Sequence, residues 1–572
     1  MRVSAPCLHA WRSIRSGGLR MKLASPVAAV GLAAIISRLL GYARDVLVAN
    51  LLGAGPMAEA LLAALRTPNA LRRTLGEGGL NAALTPIYLR LRMQHGEAHA
   101  AAFARTTLAL ATLALGVLGG LLALGASAVI YLSAPGLESR AEDFELARWW
   151  FVLMTPFIGA ATLASIAAAF LNAERRYVIA ALAPAIVNAA LVGTYLAIPL
   201  VTDTPRTMGA LMALSLSVGG LLQLALVLWP LKPTLRQAAS GLQPGVMASI
   251  GKALRLGAPA LVATASFQII GIVASAVASQ EPAALAWFYY ADRLFQLPLS
   301  LAGVVLGSVV LTELGARRAD DTAIHALPAS KMLDHALVYA LAIGLPAAVA
   351  LFVLAEPIIR ALFSRGAFSP GDVTGTAMAL MAMAPGLPAG VAARVLLQGL
   401  LVREQAWASA VCGGAGVLAT AVAAVLLTPF WGVVGASAAV TAGLWAQCAA
   451  IALTLASRNW WRPSRAILRP LLVQTLAAGI MAAALVVVAC APLLSHGGGV
   501  RRLAVLLLIC AAGGALYGGV IWLGGGIPGW GFHKQRRGQN PAVSGCDDAT
   551  AHTEPRDLRG AGPPLHNPGQ HP

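Results

Sequence analysis

A chain of 572 residues that is 58% hydrophobic and only 11% charged, with a mean hydropathy of +0.74, is excluded from the soluble classes. Its formal net charge of +18 raises nucleic acid as a partner, but the basic residues are spread one loop at a time, so no nucleic-acid partner is expected. What remains is an all-α polytopic membrane protein: apolar runs of about 20 residues, each long enough to cross a ~30 Å hydrocarbon core as a helix, recur from Pro26 to Leu523.

In chain order, residues 1–25 read as a basic cytoplasmic segment, with Met21 as an alternative start. The stretch "VAAVGLAAII" is taken as part of a span, not as a signal peptide, because the apolar segment continues past Arg38 and Arg44. Six spans then make an N-lobe over 26–229: Pro26 to Leu52, Glu59 to Leu91, Thr106 to Leu132, Trp149 to Asn172, Val178 to Leu200 and Met208 to Trp229. Six more make a C-lobe over 256–457: Leu256 to Ser279, Ala284 to Thr312, Ala336 to Leu354, Gly375 to Leu397, Ala406 to Leu427 and Val433 to Ser457. Two extra helices, Leu471 to Leu493 and Leu503 to Leu523, bring the expected total to fourteen transmembrane helices. The tail, 524–572, is rich in Gly, Pro, His and charge, buries too little apolar surface to offset ordering entropy, and is expected to be disordered.

Basic residues alternate by side. Arg90, Arg92, Arg105, Arg175, Arg176, Lys232, Arg236, Lys252, Arg255, Arg317, Arg318, Lys331, Arg403, Arg458, Arg462, Arg465 and Arg469 fall in the loops after even-numbered spans. The opposite loops hold Arg140, Arg148, Arg206, Arg360, Arg365, Arg501 and Arg502. This asymmetry places both termini in the cytoplasm. A shift of 227 positions lays "LRTPNALRRTLGEGGLNAALTPIYLR" over "DRLFQLPLSLAGVVLGSVVLTELGAR", with Arg66 on Arg293 and Arg90 on Arg317, which fits two lobes related as parallel repeats. Six cysteines show no CxxC spacing and read as buried thiols; they and the scattered histidines predict no metal site.

Charge inside the spans is the feature that demands explanation. An arginine at a helix centre costs about 2.5 to 3.5 kcal/mol on insertion scales, so several of them must face something polar. In the first span Arg38 and Asp45 are seven residues apart and share a face, while Arg44 lies about 100° away. In the second, Glu59, Arg66 and Arg73 repeat at seven, Arg73 and Glu77 are spaced to pair, and Arg72 points elsewhere. Asp292 and Arg293 fall in the eighth span and Arg394 in the tenth. Arg66 and Arg73 fit structural pairing or snorkelling to the headgroups, as does an Arg44–Asp45 pair. Arg38, Arg72 and Arg293 fit a cationic central cavity and therefore an anionic cargo. Arginine suits phosphate because its planar fork donates two hydrogen bonds and keeps its charge when desolvated. No GxxxxGK[ST], HExxH or GxSxG constellation competes, so a transporter is expected and not an enzyme.

The stretches "SRLLGYARDVLVANLLGAG", "LRTPNALRRTLGEGGLNAALTPIY", "LAPAIVNAALVG" and "FYYADRLFQLP" together resemble the MurJ (MviN) family of bacterial lipid II flippases, within the multidrug/oligosaccharidyl-lipid/polysaccharide exporter superfamily. The resemblance covers about Met21 to Leu523. It implies two six-helix lobes around a cationic cavity, alternating access without ATP hydrolysis, and a place in the bacterial inner membrane. The cargo it implies is lipid II, the undecaprenyl-diphosphate disaccharide-pentapeptide precursor of peptidoglycan. Carried over by position, Arg38, Arg44, Arg72 and Arg293 would hold the diphosphate, with Asp45, Glu59, Arg66, Arg73, Glu77, Asp292 and Arg394 in support. The last two helices would form a groove for the lipid tail, and membrane lipids and other cell-wall synthesis proteins would be partners. Glu59 departs from an aspartate common in the family. The seventh and eleventh spans lack Asp and Glu, which argues against a carboxylate sodium site of the kind some members carry. No cofactor is expected, and membrane potential or an ion gradient is left as the driver. Export of another polyprenyl-diphosphate glycan stays open, as does multidrug export, although drug pumps favour acidic cavities. A membrane scaffold would need the arginines to be dispensable.

Overall fold

A computed structural model describes residues 18–76, 79–238, 243–300, 329–403, 405–489 and 499–527. These are helical almost throughout, with no β-strand among them. In chain order the helices are α1 (Gly18–Leu52), α2 (Pro56–Leu71), α3 (Gly79–His95), α4 (Glu97–Leu124), α5 (Ala126–Ser133), α6 (Ala141–Ala173), α7 (Tyr177–Val201), α8 (Pro205–Arg236) and α9 (Val246–Ala278). They continue as α10 (284–300), α11 (Ala329–Val353), α12 (Ala355–Phe363), α13 (Pro370–Met383), α14 (Leu387–Leu401), α15 (Ala406–Trp431), α16 (Val433–Ser457), α17 (Arg465–Ala489) and α18 (Gly499–Gly524).

Eleven helical stretches among the described residues are long and apolar enough to cross a membrane, which makes the chain a multi-pass membrane protein. Three of the continuous spans read from the sequence are interrupted as regular α-helix. Glu59 to Leu91 is not one regular α-helix: α2 ends at Leu71 and passes into a π turn at Arg72–Gly76, and α3 is described from Gly79. Glycines at 76, 78 and 79 are poor helix formers and permit the interruption. Thr106 to Leu132 is broken at Gly125, between α4 and α5. Between α13 and α14 the chain tightens into a 3-10 turn at Ala384–Gly386, where Pro385 has no backbone N–H to donate. The end of the eighth predicted span, 301–312, lies outside the described residues, as does most of the predicted tail.

Helices of the first half of the chain pack largely on one another: α1 on α7, α6 on both α2 and α8, and α7 on α8. In the second half α9 packs on α15, α15 on α16, α14 on α16, and α11 on α14 and α17, while α17 and α18 lie side by side. The halves meet along α9 and α3 and at the α1–α2 turn. Packed faces are rich in alanine, as over Ala58–Ala64 of α2, where close helix approach replaces bulky side chains as the source of van der Waals contact.

Candidate functional site

Between the two halves lies a cavity of about 1110 Å³. Six arginines line it, Arg38 and Arg44 of α1, Arg72 and Arg73 of the π turn, Arg293 of α10 and Arg394 of α14, and Asp45 is the one carboxylate among the lining residues. All four residues assigned to the cargo from sequence are therefore brought together. Arg73 and Arg394, assigned support, join them. Helical spacing placed Arg72 away from the face of Arg73, but both line the cavity from the π turn, as the equally adjacent Arg44 and Asp45 do from the regular α1.

Asp45 organises the end of the cavity nearest the α1–α2 turn. Arg44 donates to Asp45 Oδ1 through Nε at 3.1 Å and Nη2 at 2.7 Å. From the other half, Arg293 Nε lies 3.5 Å from Asp45 Oδ2. Tyr289 bridges the two: its hydroxyl accepts from Arg293 Nη2 at 2.5 Å and donates to Asp45 Oδ1 at 3.4 Å, while the Arg293 guanidinium stands 4.6 Å from the centre of its ring. Two buried cations are thus balanced by one carboxylate, so the cluster keeps an excess positive charge for an anionic ligand. The role of Tyr289 was not read from the sequence. Its position one turn before Arg293 was the available signal.

Arg73 does not reveal the expected partner, since Glu77 lies outside the described residues. Arg73 donates to Gln296 Oε1 of α10, and the Gln296 amide donates to Asp292. Asp292 is thereby held in a chain of contacts linking π turn and α10, apart from the main cavity lining. Arg66 does not line the main cavity either. It donates to the Gly271 carbonyl of α9, stacks over Phe288 at 5.1 Å, and borders a side recess of about 70 Å³. Arg394 stacks over Phe267 at 5.1 Å and donates to the Leu299 carbonyl at 3.4 Å.

Glu59 sits outside the cavity, where it fastens the halves at their α1–α2 end. Fully buried, it accepts from Arg140 at 2.6 Å and from the Leu285 backbone N–H at 3.1 Å. Beside it the Ala367 N–H donates to the Asn50 carbonyl at 2.9 Å and the Tyr290 hydroxyl to the Gly53 carbonyl at 2.9 Å, with Phe363 and Phe368 packed on the Tyr290 ring. Gly136 N–H to Ser279 Oγ, at 3.0 Å, adds a further link. These contacts close that end. Glu59→Ala takes the acceptor from the Leu285 N–H and leaves Arg140 only Asp143, 3.6 Å away, and is expected to destabilise by about 2 kcal/mol. Glu59→Gln, which keeps an acceptor for Leu285, loses less; thermal unfolding of the purified variants checks the order.

Among the described residues no group of three or more His, Cys, Asp or Glu side chains converges as a metal site. Cys412, Cys448 and Cys510 are free thiols.

The family model described as "Lipid II flippase MurJ" matches residues 48–508. A probable lipid II flippase MurJ from Rhizobium meliloti (strain 1021) is 30% identical over 465 residues, covering 81% of this chain and 86% of that protein. A lipid II flippase MurJ from Burkholderia cenocepacia is 29% identical over 457 residues, covering 78% and 86%. Among solved structures, a lipid II flippase MurJ in an inward closed conformation superposes with a TM-score of 0.68 at 20% identity, covering 86% of this chain and 98% of that one. An inward-facing multidrug resistance MATE family transporter of the MOP superfamily gives 0.58 at 16% identity, covering 74% and 94%. At these identities the structural likenesses establish the fold alone, whereas the family match spans most of the sequence, and the chain belongs to the lipid II flippase MurJ family.

Proposed function

We propose that this protein flips lipid II from the cytoplasmic to the periplasmic leaflet of the bacterial inner membrane, holding the diphosphate with Arg38, Arg44, Arg72 and Arg293. The observation that carries the reading is the cavity lined by six arginines and one carboxylate. Several kcal/mol of insertion cost at such depth is tolerated where an anion repays it, and a diphosphate offers bidentate acceptors for guanidinium forks. An acidic or neutral cavity would have favoured the multidrug reading; the arginines do not.

The architecture proposed is fourteen transmembrane helices in two six-helix lobes, 26–229 and 256–457, with a tail groove over 471–523. The basic loops set both termini in the cytoplasm and make the α1–α2 end periplasmic. On that assignment the Glu59–Arg140 and Asn50–Ala367 contacts form a periplasmic seal, and the cavity extends towards the cytoplasm past Pro86, Leu256 and Gln398. Parting of the seal after closure at the cytoplasmic end would present the headgroup outward while the tail stays in lipid. Membrane potential acting on the cavity charges supplies about 2.3 kcal/mol per elementary charge per 100 mV, enough to bias such a cycle.

The test is depletion of the resident lipid II flippase in a bacterium expressing this chain. Growth is expected to be restored by the wild type and lost with Arg38→Ala or Arg72→Ala at equal membrane abundance. Rescue that survives both substitutions would sink the arginine mechanism. A wild-type chain that is inserted yet fails to rescue would point to another polyprenyl-diphosphate glycan.

A further inference from the structure

A diphosphate consists of hydrogen-bond acceptors, and the cavity arginines can only donate to it. The same wall also carries carboxamides from both halves: Asn69 at the end of α2, Asn188 on α7, Gln223 on α8, Gln268 on α9, Gln398 on α14, and Gln296 on α10, which is held between Arg73 and Asp292. Most are not consumed by the protein. The side chains of Asn69, Gln223, Gln268 and Gln398 make no hydrogen bond to another described residue. The Asn69 amide nitrogen is buried without a partner, and Gln223 is only 6% exposed while facing the cavity. Asn188 differs, donating to the Ser37 carbonyl at 3.0 Å and so bracing α7 on α1.

Gln268 is half-buried and Gln398 exposed, so the burial cost of an unpaired amide, roughly 1 to 3 kcal/mol, falls on Asn69 and Gln223, and these two call most for a ligand that supplies the missing contacts. The Asn69 nitrogen asks for an acceptor and the amide oxygens of Gln223 and Gln268 ask for donors, so a ligand serving all three presents both. The diphosphate has no donor to give, and Asp45, the one carboxylate in the wall, is already committed to Arg44, Tyr289 and Arg293. Sugar hydroxyls, N-acetyl groups and peptide amides present both.

We propose that Asn69, Gln223 and Gln268 read the sugar and peptide portion of the headgroup, dividing recognition between arginines for the diphosphate and amides for what hangs from it. This rests on the lipid II reading above and adds the specificity that arginines alone cannot provide, since every polyprenyl diphosphate offers them the same group. Removing one amide that pairs with the ligand costs about one hydrogen bond, close to a tenfold loss of affinity.

The experiment compares binding of lipid II and of undecaprenyl diphosphate, which lacks sugars and peptide, to the purified full chain in nanodiscs. Wild type should bind lipid II the more tightly. Gln223→Leu and Asn69→Leu should each weaken lipid II about tenfold and leave undecaprenyl diphosphate unchanged. Arg38→Ala should weaken both. A purely structural defect lowers the two affinities together, and that result, or an unchanged preference for lipid II in both amide variants, would overturn the proposal. Equal wild-type affinities would overturn it too. A wild type that binds neither lipid would defeat the flippase reading itself and is told apart by that.

Discussion

Arg293→Lys is expected to lose flipping almost as completely as Arg293→Ala, by a hundredfold or more, although it keeps the charge. Arg293 does three things at once: it faces Asp45 Oδ2 at 3.5 Å, donates to the Tyr289 hydroxyl at 2.5 Å and lies over the Tyr289 ring. A planar guanidinium meets all three from one position, whereas a lysine ammonium is a point charge without the fork or the flat face. Removing one partner of a buried charge cluster costs about 3 to 5 kcal/mol, which is about two to nearly four powers of ten in an equilibrium. The measurement is flipping of a fluorescent lipid II analogue in proteoliposomes, with protein in the two variants matched for folding. Near wild-type flipping by Arg293→Lys would mean that charge alone is used there. Asp45→Asn should harm the same step for the converse reason, since Arg44 and Arg293 would then face each other without the carboxylate between them.

Gly53→Val and Gly366→Val should hold the α1–α2 end open. Both glycines have positive φ, +62° and +57°, and they meet across the seal in a reciprocal way. A Cβ on Gly53 would stand 2.4 Å from the Ala367 carbonyl oxygen, and one on Gly366 would stand 2.3 Å from the Asn50 carbonyl oxygen. Neither obstacle is the end of a flexible side chain, so relief requires the two halves to part there. Left-handed backbone costs an L-residue about 1 to 2 kcal/mol by itself, and Gly96→Val controls for that: Gly96 has φ +86° but nothing within 4 Å of its would-be Cβ. A cysteine introduced as Ser37→Cys on the cavity wall, in a chain without its native cysteines, reports the opening. Labelling by a membrane-impermeant maleimide from outside should rise about tenfold or more in the two seal variants, a shift of roughly 1.4 kcal/mol, and stay low with Gly96→Val. Equal labelling in all three would show that the seal tolerates a side chain.

Much of this was legible in one dimension. Membrane class, helical spans and the unusual charges in the first, second, eighth and tenth spans follow from composition and residue position, because hydrocarbon thickness and the cost of burying charge act on the sequence directly. The resemblance carried by "SRLLGYARDV", "LRTPNALRRT" and "FYYADRLFQLP" was enough to gather Arg38, Arg44, Arg72 and Arg293 into one site, and the cavity does gather them. Shared heptad spacing did not imply a shared role. Glu59, Arg66 and Arg73 sit seven apart, yet one fastens the seal, one caps the Gly271 carbonyl and one faces the cavity through Gln296.

The sequence by itself determined which residues carry charge into the membrane and the angle between two of them on one unbroken helix. Only the tertiary structure decided how each helix is rotated against its neighbours, and hence that Asp45 is shared between Arg44 beside it and Arg293 from the other half of the chain. It also decided where the helix stops being regular, at the π turn over Arg72–Gly76, whose two adjacent arginines both line the cavity. The physical reason is that periodicity fixes relations within a helix, whereas rotation and register between helices come from packing, which joins residues more than two hundred positions apart.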